Sequence, residues 1–393
     1  MSVVARPLRV ALVAGEASGD TLGADLIEAF RARVPGCEFY GMAGPRMVAA
    51  GCVPWYRAEE LSVMGVAEVL PHLPRLLRLR RSLLARIKAH ATDVFVGIDS
   101  PDFNLPLSRA LRRARIPTVQ YVSPQVWAWR QSRVAGIRAA VDLVLCVLPF
   151  EADFYATHGV NAKFVGHPLA DAIALQTDAA AARAALGLDA EKPLLAVLPG
   201  SRRSEVAALA QPFMATAAWL QRARPNIEVA VALASVPIGE LFRATAGKVK
   251  LHPPAHLITG RAREVMAAAD IVLTASGTAS LEALLLKRPM VVAHRIAPLT
   301  YWLVRKLGVA KLAHFSLPNL LAGRSVVPEF VQAQVRPDVL GPALLRQLDG
   351  HPLDPDWYDV FAGIHRQLRR GASAAAAQAV LELLRGTSSD RGI

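Results

Sequence analysis

Polar, glycine-rich segments sit directly after short apolar runs at several places in this chain, and their residue types suit proton transfer and phosphate binding. The first is Gly15-Glu16-Ala17-Ser18-Gly19-Asp20. Glycines there permit a tight turn and close ligand approach, Ser18 and Asp20 can cap the helix that follows, and Glu16 can point toward a ligand. An ordinary turn with a capped helix explains the same residues. The spacing is not G-x-G-x-x-G, which disfavours a nicotinamide cofactor. The second is Asp99-Ser100-Pro101-Asp102-Phe103-Asn104, where two carboxylates share a loop with an amide. A carboxylate at a strand end is suited to act as general base toward a hydroxyl, and either Asp99 or Asp102 fits that role or a plain capping role. Ser123-Pro124-Gln125-Val126-Trp127-Ala128-Trp129-Arg130 places two aromatic faces on one short segment, fit for sugar rings, acyl chains or packing.

Two further segments have the character of anion sites. Pro199-Gly200-Ser201-Arg202-Arg203-Ser204-Glu205 joins a glycine turn to arginines that open a helix, where backbone N–H groups favour anions and Arg202 can grip a phosphate with both arms. Ser276-Gly277-Thr278-Ala279-Ser280-Leu281-Glu282 is a second small-residue helix start, with a diphosphate expected at the amides and ribose hydroxyls on Glu282. Two such turns in one half of the chain favour a nucleotide site over two unrelated loops.

These segments need a frame that delivers them to one edge. Apolar runs at Arg9–Ala14, Glu38–Gly41, Val94–Ile98, Thr118–Val122, Leu143–Leu148 and Lys163–Val165 read as strands of one sheet. Leu194–Leu198, Glu228–Leu233, Ile271–Thr274 and Met290–Ala293 read as strands of a second. Their alternation with longer helical patterns is the mark of βαβ units and parallel sheets, in which ligands bind beyond the carboxyl ends of the strands. At 393 residues the chain exceeds what one core usually organises. The expected division is residues 1–168, then 169–350, then a pair of helices in 351–393, with the break at Gly166-His167-Pro168. Helices are expected from Trp357 to Arg370 and from Ala374 to Leu384.

Composition narrows the function classes. Apolar residues make up 53% and charged residues 20%, a packed globular balance. The net charge of +13, from 45 Lys and Arg against 32 Asp and Glu, fits anionic partners. The arginines interleave with leucine rather than with aromatics, and no nucleic-acid-binding signature is present, so no nucleic-acid partner is expected. Cys37, Cys52 and Cys146 are scattered, which argues against a disulfide framework or zinc site and fits a reducing cytoplasmic setting. The apolar run after the basic start is broken at Glu16, too short for an export signal, and no stretch reaches the ~20 apolar residues of a membrane span. The D-x-D match Asp354-Pro355-Asp356 lies in a proline-rich connection rather than at a strand end, so no metal is expected.

Taken in order, the segments around Gly15 to Asp20, Ala43-Gly44-Pro45-Arg46-Met47, Asp99 to Asn104, Tyr121 to Arg130, Leu198 to Arg202, Ala275 to Ala279 and Ser316-Leu317-Pro318-Asn319-Leu320-Leu321-Ala322-Gly323 closely resemble the lipid-A-disaccharide synthase family, from about Arg9 to Leu384. The resemblance implies an α/β fold of GT-B type: two doubly wound Rossmann-like domains facing across a cleft, with the C-terminal helix crossing back to the first. It also implies an inverting, cofactor-independent hexosyl transfer in lipid A biosynthesis in Gram-negative bacteria. The implied substrates are UDP-2,3-diacylglucosamine as donor and 2,3-diacylglucosamine 1-phosphate as acceptor. Asp99 matches the family's proposed general base, and Arg202 and Asn319 match residues important for the donor. Glu282 stands where such enzymes commonly hold ribose. Glu16, Ser18, Asp102, Asn104, Ser276, Gly277, Thr278 and Arg295 complete the expected substrate contacts. His294 precedes Arg295 where the family pattern has an aromatic residue. A UDP-sugar 2-epimerase, another GT-B transferase, or a non-catalytic lipid-binding module are the alternatives.

The stretch from Leu61 to Lys88 completes the reading. Val63, Met64, Val66, Val69, Leu70 and Leu73 form an apolar group, followed by Arg75, Arg78, Arg80, Arg81, Arg86 and Lys88. This combination is expected to dock on anionic membrane lipids, and the resemblance implies the inner face of the cytoplasmic membrane. Leu76, Leu77, Leu79, Leu83, Leu84 and Ile87 fit equally well as the buried stripe of an amphipathic helix. A homodimer is compatible with the sequence and not required by it.

Overall fold

The computed structural model describes residues 6–62, 69–129, 131–247, 249–295 and 313–389. The chain divides into two compact units, Met1–Asp171 with Leu368–Ile393, and Ala172–Gln367.

The first unit holds a parallel seven-stranded sheet built from β1 (Arg9–Ala14), β2 (Glu38–Ala43), β3 (Cys52–Arg57), β4 (Val94–Ile98), β5 (Thr118–Tyr121), β6 (Leu143–Cys146) and β7 (Ala162–Phe164). The strand order is β3-β2-β1-β4-β5-β6-β7, so chain direction across the sheet reverses between β1 and β4. There Ala14 pairs with Ile98 at the carboxyl ends. Central strands are covered on both faces, and β1, β4 and β6 are accordingly near-continuous apolar runs. One face packs Ala11, Val13, Phe95 and Met42 against Leu79, Leu83 and Ile87 of the helix Val69–Ala89 and Phe103, Leu107 and Leu111 of the helix Pro101–Arg113. Leu79, Leu83 and Ile87 of the leucine stripe are therefore core, with Leu76 and Leu84 packed partly buried against them, whereas Leu77 is exposed and Arg75, Arg78, Arg81, Arg86 and Lys88 face solvent. The last helix, Ala372–Ser389, packs on the helix Ala17–Arg31 of this unit. Asp171 fixes its start by accepting from the Gly371 and Ala372 amides at 2.9 and 2.6 Å, and Lys163 pairs with Glu382 at 2.7 Å.

The second unit holds a six-stranded parallel sheet of β8 (Leu194–Leu198), β9 (Glu228–Leu233), β10 (His256–Thr259), β11 (Ile271–Ala275), β12 (Met290–His294) and β13 (Glu329–Val331), in the order β10-β9-β8-β11-β12-β13. Direction reverses between β8 and β11, where Thr274 pairs with Leu198. Each sheet thus has one crevice beyond its strand ends at which chain reversal leaves room for a ligand.

Candidate active site

In the first unit the reversal point is formed by the ends of β1 and β4. Asp99 and Ser100 follow β4 with φ of +50° and +42°, and Val122 follows β5 at +69°, a conformation that side chains with a Cβ adopt only when the surroundings enforce it. The enforcing contacts are visible. The Asp99 amide donates to the Tyr121 carbonyl at 2.8 Å. The Asp99 carbonyl accepts from Asn104 Nδ2 at 2.8 Å and from Gln120 Nε2 at 3.0 Å. Both amide side chains are fully buried. Asn104 also reaches the Ile98 and Val13 carbonyls, at 3.4 and 3.5 Å, tying the two strand ends together. Gly97 makes this possible, since a Cβ there would stand 2.8 Å from the Asn104 Cβ. Asn104 is therefore a positioning residue beneath the loop and not a surface that a substrate can touch, contrary to the sequence expectation.

The Asp99 carboxylate is half-buried and, among the described residues, has no hydrogen-bond or ion-pair partner. Asp102 differs. Its side chain is 82% exposed and paired with Arg133 at 2.5 Å. Glu16 and Ser18 are exposed at the start of the helix Ala17–Arg31, and Glu16 makes no side-chain cap. Asp20 does not cap that helix. It is buried and accepts from the Gly44, Arg46 and Met47 amides at 2.9 to 3.0 Å, capping the neighbouring helix Pro45–Ala49. Trp127 is held by donation from its Nε1 to Glu151 at 3.1 Å. Burial pushes the Glu151 carboxyl up from its ordinary range. The side chain of Trp129 lies outside the described residues.

In the second unit the reversal point is formed by the ends of β8 and β11. The helix Arg203–Ala223 starts directly after Arg202, and its Glu205 folds back to accept from the Ser201 and Arg202 amides at 3.1 and 3.2 Å. A capping box thus occupies the two amides expected to bind phosphate. The Arg202 guanidinium remains 81% exposed, with Glu205 at 3.4 Å. At the other turn, Gly277 takes φ +143°, a region that residues with a side chain avoid, and a Cβ there would meet nothing within 4 Å. The helix Thr278–Leu285 begins in this open space, so its first amides have no intrahelical partner. Ser276 Oγ donates to the Phe315 carbonyl at 3.3 Å. Glu282, one turn on, takes Arg263 at 3.3 Å; burial raises its carboxyl above the usual range and Arg263 opposes that rise. His294 ends β12, and its imidazole is lowered by burial. Arg295 is exposed beside it.

Asn319 is buried, and every one of its hydrogen-bonding positions is used. Its Nδ2 donates to the Val327 carbonyl at 2.9 Å and to Glu329 Oε1 at 2.6 Å, and its Oδ1 accepts from the Val326 and Val327 amides at 2.7 and 2.9 Å. Glu329 also accepts from the Phe315 and Ser316 amides at 3.1 Å and from Ser316 Oγ at 2.5 Å. Asn319 thus locks the segment from Phe315 to Glu329, which carries the partner of Ser276. All four side-chain hydrogen-bonding positions of Asn319 are thus taken up within this segment. Gln120, Glu205 and Glu329 were not singled out in the sequence. Only Glu205 carried a usable signal, three residues after its helix boundary.

Among the described residues, no three His, Cys, Asp or Glu side chains converge as metal ligands, and Asp354 is buried against Arg324 at 2.8 Å.

Known proteins resolve which chemistry these parts serve. The family model described as lipid-A-disaccharide synthetase matches residues 10–380. The lipid-A-disaccharide synthase of Alkalilimnicola ehrlichii is 53% identical over 97% of this chain and 100% of its own length. The chain belongs to the lipid-A-disaccharide synthase family. A further member, from Serratia proteamaculans, is 49% identical over 96% of this chain and 98% of its own. Membership makes the chain an enzyme, a glycosyltransferase of lipid A biosynthesis that uses a UDP-sugar and a lipid-linked substrate. Solved structures establish the fold as GT-B: the glycotransferase of kitacinnamycin (TM-score 0.62, 20% identity, 96% of this chain and 99% of that one) and the UDP-GlcNAc 2-epimerase of Neisseria meningitidis (0.64, 13%, 95% and 100%). The epimerase likeness is one of fold alone; the family match sets aside the epimerase and binding-module alternatives. No helix among the described residues is long and apolar enough to cross a membrane.

Proposed function

We propose that this chain transfers 2,3-diacylglucosamine from UDP-2,3-diacylglucosamine to the 6-hydroxyl of 2,3-diacylglucosamine 1-phosphate, giving the β-1,6-linked disaccharide 1-phosphate and UDP. The acceptor oxygen bonds to the anomeric carbon as the bond to the diphosphate breaks. The hydroxyl proton goes to Asp99 and the electron pair to the leaving UDP. The observation that carries this reading is the Asp99 carboxylate: without a partner among the described residues, half-buried, and mounted on a backbone pinned by Asn104 and Gln120. Asp102 is instead turned to solvent and engaged by Arg133.

Donor binding falls to the second unit. The open amides at Thr278, the free face of Arg202 and the carboxylate of Glu282 suit a diphosphate and a ribose, and protein dipoles and guanidinium stabilise the charge that develops on UDP. Membrane docking falls to the segment before Arg75. Val63, Met64 and Val66 lie outside the described residues, as do the side chains of Val69 and Leu70, whereas Leu73 is 43% exposed. Exposed leucine beside exposed arginines supports docking on anionic lipid at the inner face of the cytoplasmic membrane.

The test is Asp99→Asn assayed with both acylated substrates and mass measurement of the product. Turnover should fall by ~100-fold or more with thermal stability and UDP affinity retained. A near-normal rate would remove Asp99 from the mechanism.

A further inference from the structure

Beside the Asp99 loop, and wholly within the first unit, a groove of about 450 Å³ runs between the helix Pro101–Arg113 and the helix Val134–Ala140. That volume is within the range of small-ligand sites. Its more buried lining, the floor, is apolar, from Leu105, Ala110, Ile137 and Ala140, and its rim carries Pro106, Arg109, Arg113 and Arg133 with the single carboxylate of Asp102. Arg109 and Arg113 lie one turn apart on one helix face, an arrangement that costs a few tenths of a kcal/mol by mutual repulsion. Among the described residues neither has an ion-pair partner, and Arg133 alone is paired. The groove therefore offers an apolar trough under uncompensated positive charge. It begins at Pro101 and Asp102, and the three residues from Asp99 to Asp102 span at most ~10 Å. From Asp102 to Arg113 the helix extends a further ~16 Å.

We propose that this groove is the acceptor's subsite: the rim arginines take the phosphate of the acylated sugar phosphate, and the floor takes part of an acyl chain. This rests on the transfer reaction proposed above and adds where the acceptor lies. A neutral acylated sugar would gain nothing from the rim, and a free sugar phosphate nothing from the floor. Only a ligand that is both anionic and acylated uses both, and of the two substrates it is the acceptor whose hydroxyl must reach Asp99.

Two variants of the full-length protein test it. Arg109→Gln with Arg113→Gln removes the charge. Gly136→Phe fills the trough without strain, because Gly136 lines the groove, sits in a helix at ordinary φ, and has nothing within 4 Å of where its Cβ would be. Initial rates are measured with acceptor varied at saturating donor and the reverse, in detergent micelles, alongside equilibrium binding of the acceptor and of its dephosphorylated form. Acceptor KM should rise about tenfold or more in both variants, with donor KM and the melting temperature little changed. The arginine variant should bind the phosphorylated and dephosphorylated forms alike. Unchanged acceptor KM in both variants, or an equal rise in donor KM, would overturn the assignment. So would a loss confined to binding of phosphatidylglycerol vesicles, which would make the groove a bulk-lipid site. If the wild type formed no disaccharide the transfer reaction would fall, and the binding measurements alone would still decide the groove.

Discussion

Replacing Asn319 by Ala separates a positioning role from a ligand contact. The substitution strands the Val326 and Val327 amides and the Val327 carbonyl in a buried site, while the Glu329 oxygen loses one donor and keeps the Ser316 amide and hydroxyl. Unsatisfied buried groups cost roughly 1–3 kcal/mol each, and water entering the vacated space recovers part, so a net loss of about 3–5 kcal/mol is expected. For a unit of this size that lowers the melting temperature by about 10 °C. Asn319→Asp sharpens the test: it sets a second carboxylate where an amide now meets Glu329 at 2.6 Å, so at neutral pH the pair must hold a proton. The folded-state pKa is then raised above the unfolded value. The variant's stability relative to wild type is greatest at acid pH and is lost as pH rises through the raised pKa. Circular-dichroism melts between pH 4.5 and 8, paired with calorimetric titration of UDP, provide the measurement. A wild-type melting curve in Asn319→Ala together with abolished UDP binding would refute the positioning role and return Asn319 to direct contact with the donor.

Arg202→Ala should reduce kcat/KM for the donor by on the order of 2–4 kcal/mol while the Glu205 cap holds the fold; unchanged donor kinetics would displace the diphosphate from this turn. Burial pushes the His167 imidazole down to about 4, so the folded state binds fewer protons than the unfolded chain between there and about 6.5. Stability should fall by about 2 kcal/mol from pH 7 to pH 5, and His167→Gln should flatten that limb in denaturant titrations; an identical pH profile in the variant would refute it. Replacing Val66, Val69, Leu70 and Leu73 by Ser should abolish vesicle binding in a protein that still folds, and retained binding would exclude this segment as the anchor.

Strand legibility followed burial. β1, β4, β8 and β9 were readable end to end because both faces of each are covered and every position is apolar or nearly so. β3, β10 and β13 were not: β3 carries Pro54 and exposed positions, β10 is mostly exposed, and β13 has three half-buried residues, although the equally short edge strand β7 was read to within one residue. The candidate site loops were legible because parallel sheets put ligands beyond strand ends. What stayed hidden was how the polar residues divide their labour. Asp20 and Asn104 lie in segments that look ligand-directed, yet both point inward, and their partners are backbone groups distant in sequence. Gln120 reads as an ordinary strand residue, and Glu329 falls in no predicted element, until the loops they hold are in place.

The helix Ala372–Ser389 sets the order in which a growing chain can finish its parts. All residues of the second unit have been synthesised by Gln367, whereas the first unit, begun first, still lacks the helix that covers Ala17–Arg31 and the Asp171 contacts that seat it. Folding units normally close in the order they are made. Here the first sheet must wait with one flank open until the last residues arrive. A chain released after Gln367 therefore has every residue of the second unit and an incomplete first one, and loss of the final helix strikes the half of the enzyme that carries Asp99.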